Sequence, residues 1–373
     1  MKIISVDIWT VVVPTIPGRV HSPEWVSETG WDQVPKHILR LNTDTELVGV
    51  GETYRGVSLE ETQQGAAQLL GEDPEALCLR DVFSHRHRLE GDERGVPATA
   101  DGPAYDAVEM ALLDLVGKAR ELPAHGLFGG ALRDRVRADY WIGHQTPEDG
   151  KRSVARALEH GFNGVKIKCR LEEPMKERLQ AMRDVAGPNF KVTVDPNERF
   201  YSAEQAIDLA LQLEAIGNVE VFEDPFDKRD VEGWIRFHEA VESPVAMHLA
   251  NGAQMLTALK AGCVDCFNLG GGPVKFSNLS VIAEADGMPC WHGSGNDLGI
   301  VDTYFIHASS LAAGCTMASD FVGSWTREDD LIIDPIEFAD GFVATPQRPG
   351  LGCDLDLSAL DRYATSHDLL NAH

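Results

Sequence analysis

Three short apolar runs between Gly164 and Pro225 each end in a charged residue: Val165-Lys166-Ile167-Lys168, Val192-Thr193-Val194-Asp195 and Val219-Glu220-Val221-Phe222-Glu223. Their residues are largely β-branched or aromatic. Polar, helix-compatible sequence of about twenty residues separates one run from the next, the rhythm of strand, helix, strand, helix. Such alternation builds a parallel sheet. Closed into a barrel, the sheet brings the carboxyl ends of its strands to one mouth, so Lys166, Lys168, Asp195 and Glu223 converge there.

The chain has 373 residues, enough for a (β/α) barrel of about 250 residues and a smaller domain. A formal charge of −26 argues against nucleic acid or an anionic membrane surface as partner. Acidic substrates must therefore be met by local cations. Seven cysteines, an odd number spread from Cys78 to Cys353, do not form a disulfide framework, and Cys263 and Cys266 lack the second pair of a metal knuckle. They read as reduced core residues. The start, Met1-Lys2-Ile3-Ile4-Ser5-Val6, reads as a first strand rather than a signal peptide, and no apolar run approaches the roughly 20 residues of a spanning helix. A cytoplasmic location is the expectation.

Residues 2–13 and 37–54 alternate as strands of an antiparallel meander, with Val48-Gly49-Val50-Gly51 marking a turn or bend. Between them, the loop from Pro14 to Pro35 carries His21, Trp25 and Trp31, which suit a lid, a subunit contact or packing. Helical patterns follow at 58–71 and 75–89. A clearer one runs from Pro103 to Leu122, with Asp101 as its cap. Gly126-Leu127-Phe128-Gly129-Gly130 breaks the pattern and places the domain boundary. From there, eight candidate strands are expected: Ala138–Ile142, Val165–Lys168, Val192–Asp195, Val219–Glu223, Val245–His248, Val264–Asn268, Pro289–His292 and Cys315–Ala318. The expected fold is therefore α/β. Residues 1–130 form an α+β capping domain, completed by about 346–373, and 131–345 a modified TIM-type (β/α) barrel.

Lys166 and Lys168, two apart on a strand, point to one side. Mutual repulsion and burial both lower a lysine pKa, which makes a base usable near neutrality. Asp195 and Glu223 end the next two strands, and hard oxygen ligands on one small site suit a divalent cation such as Mg²⁺.

These residues resemble the enolase superfamily, in its mandelate racemase and muconate lactonizing branch. The likeness is carried by Glu109 to Lys118 followed by Leu127-Phe128-Gly129-Gly130, then Lys166-Ile167-Lys168, Val194-Asp195-Pro196-Asn197, Glu223-Asp224-Pro225 and Pro349-Gly350-Leu351-Gly352. Together they span nearly the whole chain in order. The resemblance implies an α+β capping domain over a modified barrel, a homo-oligomer, and removal of the proton α to a carboxylate with Mg²⁺ stabilising an enediolate. It further implies that Asp195 and Glu223 are metal ligands, that Lys168 is the base, and that Lys166 tunes Lys168 and balances the carboxylate.

Two strands depart from the pattern. His248 stands where relatives end the fifth strand in Asp, Glu or Asn, and imidazole suits Mn²⁺ better than Mg²⁺. Either His248 is the third ligand of a less tightly held metal, or it is a substrate contact and water completes the site. On the sixth strand, Asp265-Cys266-Phe267-Asn268-Leu269-Gly270 offers neither the orienting Asp nor the second lysine of relatives. His292 still resembles the histidine of racemases and dehydratases, oriented by Asn268 or Asp265, and Asp320 resembles an acid that contacts the substrate. Asn197, Asn268, Asp320, Trp291 and His21 are the candidate substrate contacts.

The combined expectation is an Mg²⁺-dependent dehydratase of a sugar acid or related hydroxy acid. Lys168 takes the α-proton and His292 protonates the departing hydroxyl. A racemase, epimerase or cycloisomerase is the alternative enzyme, and a binding protein that lost the reaction is the alternative from another class.

Overall fold

The computed structural model describes residues 1–25, 31–76 and 104–372. Its first sheet is a meander of β1 (Ile3–Pro14), β2 (Gln33–Thr43) and β3 (Val48–Glu52). Helix α1 (Leu59–Ala67) begins at Ser58, whose side chain and that of Glu61 satisfy each other's backbone N–H groups in a capping box. Helix α2 (Tyr105–Ala119) lies across β3, almost wholly buried. The glycines of Val48-Gly49-Val50-Gly51 serve that contact rather than a bend. A Cβ on Gly49 or Gly51 would stand 2.1 Å from the carbonyl oxygen of Ala111 or Ala107. The turn itself occupies residues 44–47. Most of the pattern expected at 75–89, together with Cys78, Asp101 and Pro103, lies outside the described residues.

After β4 (Arg135–Arg137) the chain builds a seven-stranded parallel sheet in sequence order. Its strands are β5 (Tyr140–Ile142), β6 (Gly164–Lys168), β7 (Lys191–Asp195), β8 (Val219–Glu223), β9 (Val245–His248), β10 (Cys266–Leu269) and β11 (Cys290–His292). Helices α3 (Pro147–Glu159), α4 (Met175–Ala186), α5 (Ala203–Glu214), α6 (Val231–Ala240), α7 (Gly252–Ala261), α8 (Pro273–Ala285) and α9 (Gly299–Leu311) follow one strand each. Side-chain caps at Thr146, Ser202, Asp230 and Asn251 start four of them.

The expected eighth strand, Cys315–Ala318, does not form as one. Single bridges, Cys290 to Cys315 and Ala138 to Ser319, close the ring in its place. The amide of Asp139 donates to Ser319 O (2.9 Å), and that of Asp320 to His292 O (3.1 Å). The segment thus bonds to both neighbours without the consecutive pairing that a strand requires.

Strand register fixes what faces the barrel axis. Lys168 pairs with Asp195, Phe222 with Val245 and Asn268 with both His248 and Trp291. Val221, Ala246, Cys266, Trp291 and Met317 pack together as a small core inside the ring. The alternate residues, Ile167, Val194, Phe222, Met247 and Phe267 among them, join the large core beneath the helices.

A small sheet of β12 (Phe338–Ala339), β13 (Phe342–Ala344) and β4 follows, then α10 (Leu357–Tyr363) and β14 (Ala364–Asn371). Strand β14 returns to pair antiparallel with β1. Buried polar ties fix the first sheet over the mouth. The Lys36 ammonium lies 2.5 Å from Asp297 and 3.5 Å from Glu52. Glu52 in turn accepts the amides of Leu298 and Val301 at the start of α9 (2.8 and 3.1 Å). The carboxylate there satisfies N–H groups that the helix leaves unpaired.

Candidate active site

Lys166 lies at the centre of the mouth, 2 % exposed. Its Nζ lies 3.1 Å from Asp195 Oδ2, 2.7 Å from Glu223 Oε2 and 2.9 Å from Asp320 Oδ2. Lys168, one step nearer solvent on the same face, donates to Asp195 Oδ2 and to Asn197 Oδ1 (2.8 Å). Asn268 Nδ2 donates to Glu223 Oε1 (2.7 Å), and His248 Nδ1 lies 3.9 Å from that same oxygen. Lys166, Lys168, Asp195, Asn197, Glu223, His248, Asn268 and Asp320 are therefore one cluster.

The turns that follow the strands hold this cluster in place. Asn197, Glu198 and Asp224 adopt left-handed backbone (φ 48°, 67° and 44°), an arrangement that costs energy for side-chain-bearing residues and persists only where neighbours over-determine it. Here the Glu198 amide donates to Asp224 O (2.7 Å), and Lys228 Nζ reaches both Glu198 Oε1 (2.9 Å) and Asp224 Oδ2 (2.7 Å). Asp224 Oδ1 accepts the His248 amide (2.9 Å), which fixes the end of β9.

The electrostatics correct one expectation. Burial by itself would lower the Lys166 pKa, but the Asp320, Glu223 and Asp195 carboxylates override it and raise the pKa well above the ordinary lysine value. Lys166 is thus a fixed cation rather than a softened base. Asp195 is held below the usual carboxylate range: burial pushes it up, and Lys168 and then Lys166 more than reverse this. Glu223 is pushed up by burial and by the Asp195 charge. Burial, then the two lysines, lowers His248 to about 4, which keeps its imidazole neutral and able to act as a ligand.

Two ammonium groups face three carboxylates, so the cluster carries one net negative charge once Glu223 gives up the proton that its raised pKa lets it hold. A divalent cation together with a monocarboxylate substrate neutralises it. The donor set also fits a cation. Asn268 Oδ1 and Asp320 Oδ1 are buried without a hydrogen-bond partner, and such atoms are rare unless something else satisfies them. Among the described residues, Glu223, Asp224 and His248 bring three ligand atoms within 4.8 Å of one another. Asp224 has both oxygens engaged by Lys228 and the His248 amide, so it supports the site from outside.

Three candidates lie outside this cluster. His292 ends β11, but the inward residue of that strand is Trp291, and strict alternation turns His292 to the helical layer. Its ring is fully buried between Phe276 (4.6 Å) and Phe305 (4.1 Å). Nδ1 lies 2.6 Å from Gly293 O and Nε2 2.9 Å from Gly271 O, so both nitrogens are engaged by backbone. Neither proposed partner orients it: Asn268 bonds Glu223, and Asp265 bonds His238 Nε2 (3.1 Å) and the Val245 amide (2.8 Å). Trp291, expected to touch substrate, fills the barrel interior instead. His21 sits in a strap, residues 15–25, near His144 and Asp32; burial and His144 lower its pKa, against Asp32.

The sequence reading missed Arg178, Glu173 and His144, which brace the ends of β5 and β6. A lone arginine in an amphipathic helix reads as a surface residue. No spacing marks it as fully buried.

Residues 8–129 match the N-terminal domain of the mandelate racemase/muconate lactonizing enzyme family, and residues 150–359 match the enolase C-terminal domain-like family. The chain belongs to the mandelate racemase/muconate lactonizing enzyme family of the enolase superfamily. Within that family it is 24 % identical over 372 residues to the L-Ala-D/L-Glu epimerase of Bacillus subtilis, covering 94 % of this chain and 96 % of the relative. It is 27 % identical over 354 residues to the D-gluconate dehydratase of Thermoproteus tenax, covering 87 % and 69 %. The crystal structure of the N-succinyl Arg/Lys racemase of Bacillus cereus superimposes with a TM-score of 0.83 at 20 % identity, covering all of both chains. Family relatives thus include dehydratases, racemases, epimerases and cycloisomerases.

Proposed function

We propose that the protein removes the proton α to the carboxylate of a small hydroxy acid and expels the β-hydroxyl, a dehydration that uses one base on one face. The substrate class is a sugar acid or a related hydroxylated acid. Asp195 and Glu223, with His248 beside them, would hold a divalent cation, Mg²⁺ by its preference for oxygen ligands or Mn²⁺ by the presence of imidazole. When bound, that cation supplies Lewis-acid stabilisation of charge at the substrate carboxylate.

The observation that carries this reading is the wall across from Lys168. In an eight-position ring, β10 lies four positions from β6, directly opposite. Asn268 lies on that wall, and past its end and that of its neighbour β11 stand Gly270 and Gly293. A Cβ on Gly293 would stand 2.3 Å from Asn268 Oδ1, so the position is closed to a longer side chain. A racemase that inverts a carbon needs a proton carrier on each face, and the end of β10, Asn268-Leu269-Gly270, carries neither a lysine nor an acid.

The residues then act as follows. The Lys168 amine takes the α-proton as the C–H bond breaks, and the resulting ammonium stays on the face it came from. As the bond from the β-carbon to oxygen breaks, Lys168 returns the proton and the hydroxyl departs as water; in an acid that also carries an α-hydroxyl this leaves an enol that tautomerises to a 2-keto acid. Lys166, permanently charged, faces the developing negative charge, and Asn197 Oδ1 accepts from Lys168 Nζ and holds it in place. His292 has no part in the transfer.

The test is a panel of acid sugars, hydroxy acids and N-acylated amino acids incubated with Mg²⁺ in D₂O and read by NMR. A 2-keto product is expected, with solvent deuterium at the former β-carbon and any α-exchange in recovered substrate proceeding without inversion. Inversion of the α-carbon without elimination would overturn the one-base reading.

A further inference from the structure

Arg178 reaches from the second turn of α4 into the space between β5 and β6 and is fully buried. Gly150 of α3 admits it: a Cβ there would stand 3.3 Å from Arg178 Cγ. One nitrogen, Nη1, donates to the carbonyl of Lys168 (2.9 Å) and to Glu173 Oε2 (3.1 Å), while Nη2 donates to the carbonyl of Gly143 (2.7 Å). Glu173 Oε1 lies 2.5 Å from His144 Nδ1. A planar guanidinium presents its donors in a fixed fork, so holding two carbonyls and a carboxylate defines their relative positions more tightly than separate contacts would.

Gly143 and His144 are also where the strap fastens. The Gly143 amide donates to Val20 O (2.7 Å), the Ser22 amide donates to His144 O (2.9 Å), and the Thr146 amide donates to Ser22 Oγ (2.9 Å). Trp31 leans on His144 with ring centroids 6.4 Å apart. A Cβ at Gly143 would meet Val20 O at 2.4 Å, so the strap lies directly on the strand end.

We propose that Arg178 is a positioning residue for Lys168, and that through Gly143 and the Glu173–His144 pair it makes the placement of Lys168 depend on whether the strap is fastened. This rests on the reading of Lys168 as the base. An unfastened strap frees the Gly143 amide and the His144 carbonyl, the strand end that the fork and Glu173 grip from the other side loosens, and the Lys168 backbone gains freedom. A misplacement of about 1 Å is worth on the order of 10²-fold in rate.

The test needs no substrate. Lysines are reductively methylated with ¹³C-formaldehyde, and the Lys168 resonance is assigned by its loss in Lys168→Met. Ser22→Ala, which touches neither Arg178 nor Lys168, and Arg178→Lys are each expected to move or broaden that resonance, with calorimetric Mg²⁺ affinity unchanged. Glu173→Gln serves in the same way should Arg178→Lys not fold. On the hydroxy acid identified by the panel above, the variants are expected to lose kcat on the order of 10²-fold with KM unchanged. A purely structural role would instead lower stability and leave folded molecules with the wild-type resonance and kcat. Folded Ser22→Ala and Glu173→Gln with a wild-type Lys168 resonance would overturn the proposal. If Lys168→Met itself retains α-proton exchange, the base assignment falls, while the measured coupling of strap to Lys168 stands or falls by the resonance alone.

Discussion

Lys166 faces Asp195, Glu223 and Asp320 at once, so Lys166→Met leaves three buried carboxylates with Lys168 as their nearest cation. Removing one partner from a buried ionic cluster costs about 3–5 kcal/mol. A lower urea midpoint is expected, partly restored by added Mg²⁺; a midpoint equal to wild type would mean that the ammonium carries no such load. Asp195→Asn is expected to keep the fold by circular dichroism and to lose most Mg²⁺ binding in a calorimetric titration. Lys168→Met keeps the bulk of the stem and loses the amine, so turnover and α-proton exchange should fall by on the order of 10²–10⁴-fold. Their gathering at the mouth was legible because lysine, aspartate and glutamate have no reason to end apolar strands. The side that His292 faces was not legible, for a related reason. Cys290, Trp291 and His292 are all buried, so three residues with no polar alternation give no sign of which faces the axis.

Strand β3 and helix α2 show how an element can hide its purpose. Glycines in a strand suggest a bend, but both glycines of β3 face α2, whose carbonyls come within contact of the bare backbone. Gly51→Ala forces helix and strand apart. Overpacking of this kind costs about 1–3 kcal/mol, and a urea titration should show a loss of at least that size with little change in slope. The barrel strands were read nearly in place, since each ends where a polar turn begins. The eighth was read as a strand from the strand and helix rhythm, while hydrogen bonding there is limited to single bridges. Pairing is a property of neighbours, and a run of residues does not display it.

Across the whole molecule, burial raises Glu52 to about 7 and Glu109 and Asp139 to about 8. Each keeps its proton in the folded chain over a range where the unfolded chain has already lost it. Stability therefore falls as pH climbs from the ordinary carboxylate value and is fully lost for each group above its raised pKa. Asp195, depressed, acts oppositely: its contribution is fully present above the ordinary carboxylate value and is lost as pH falls below it. A net charge of −26 adds repulsion in the same direction as the raised acids. Melting temperature should thus be highest near pH 5 and decline toward pH 8, a trend that Glu109→Gln should flatten because its side chain has no proton to lose. A melting temperature that rises over that range would contradict the raised values. Composition announced the charge, but only the fold decides which carboxylates are taken out of water.

The pairing of β14 with β1 joins residues more than 350 positions apart, with Ser5 opposite Asn371. During synthesis the first strand emerges early and waits with one edge bare until the last ribbon of chain is released. Contacts of such separation are slow to form, and an open strand edge invites the wrong neighbour. A chaperone that shields β1 until β14 is made is therefore expected to raise the yield of folded chain. A rearranged gene that encodes residues 357–372 ahead of residue 1 through a short linker would let the sheet close before the barrel is made.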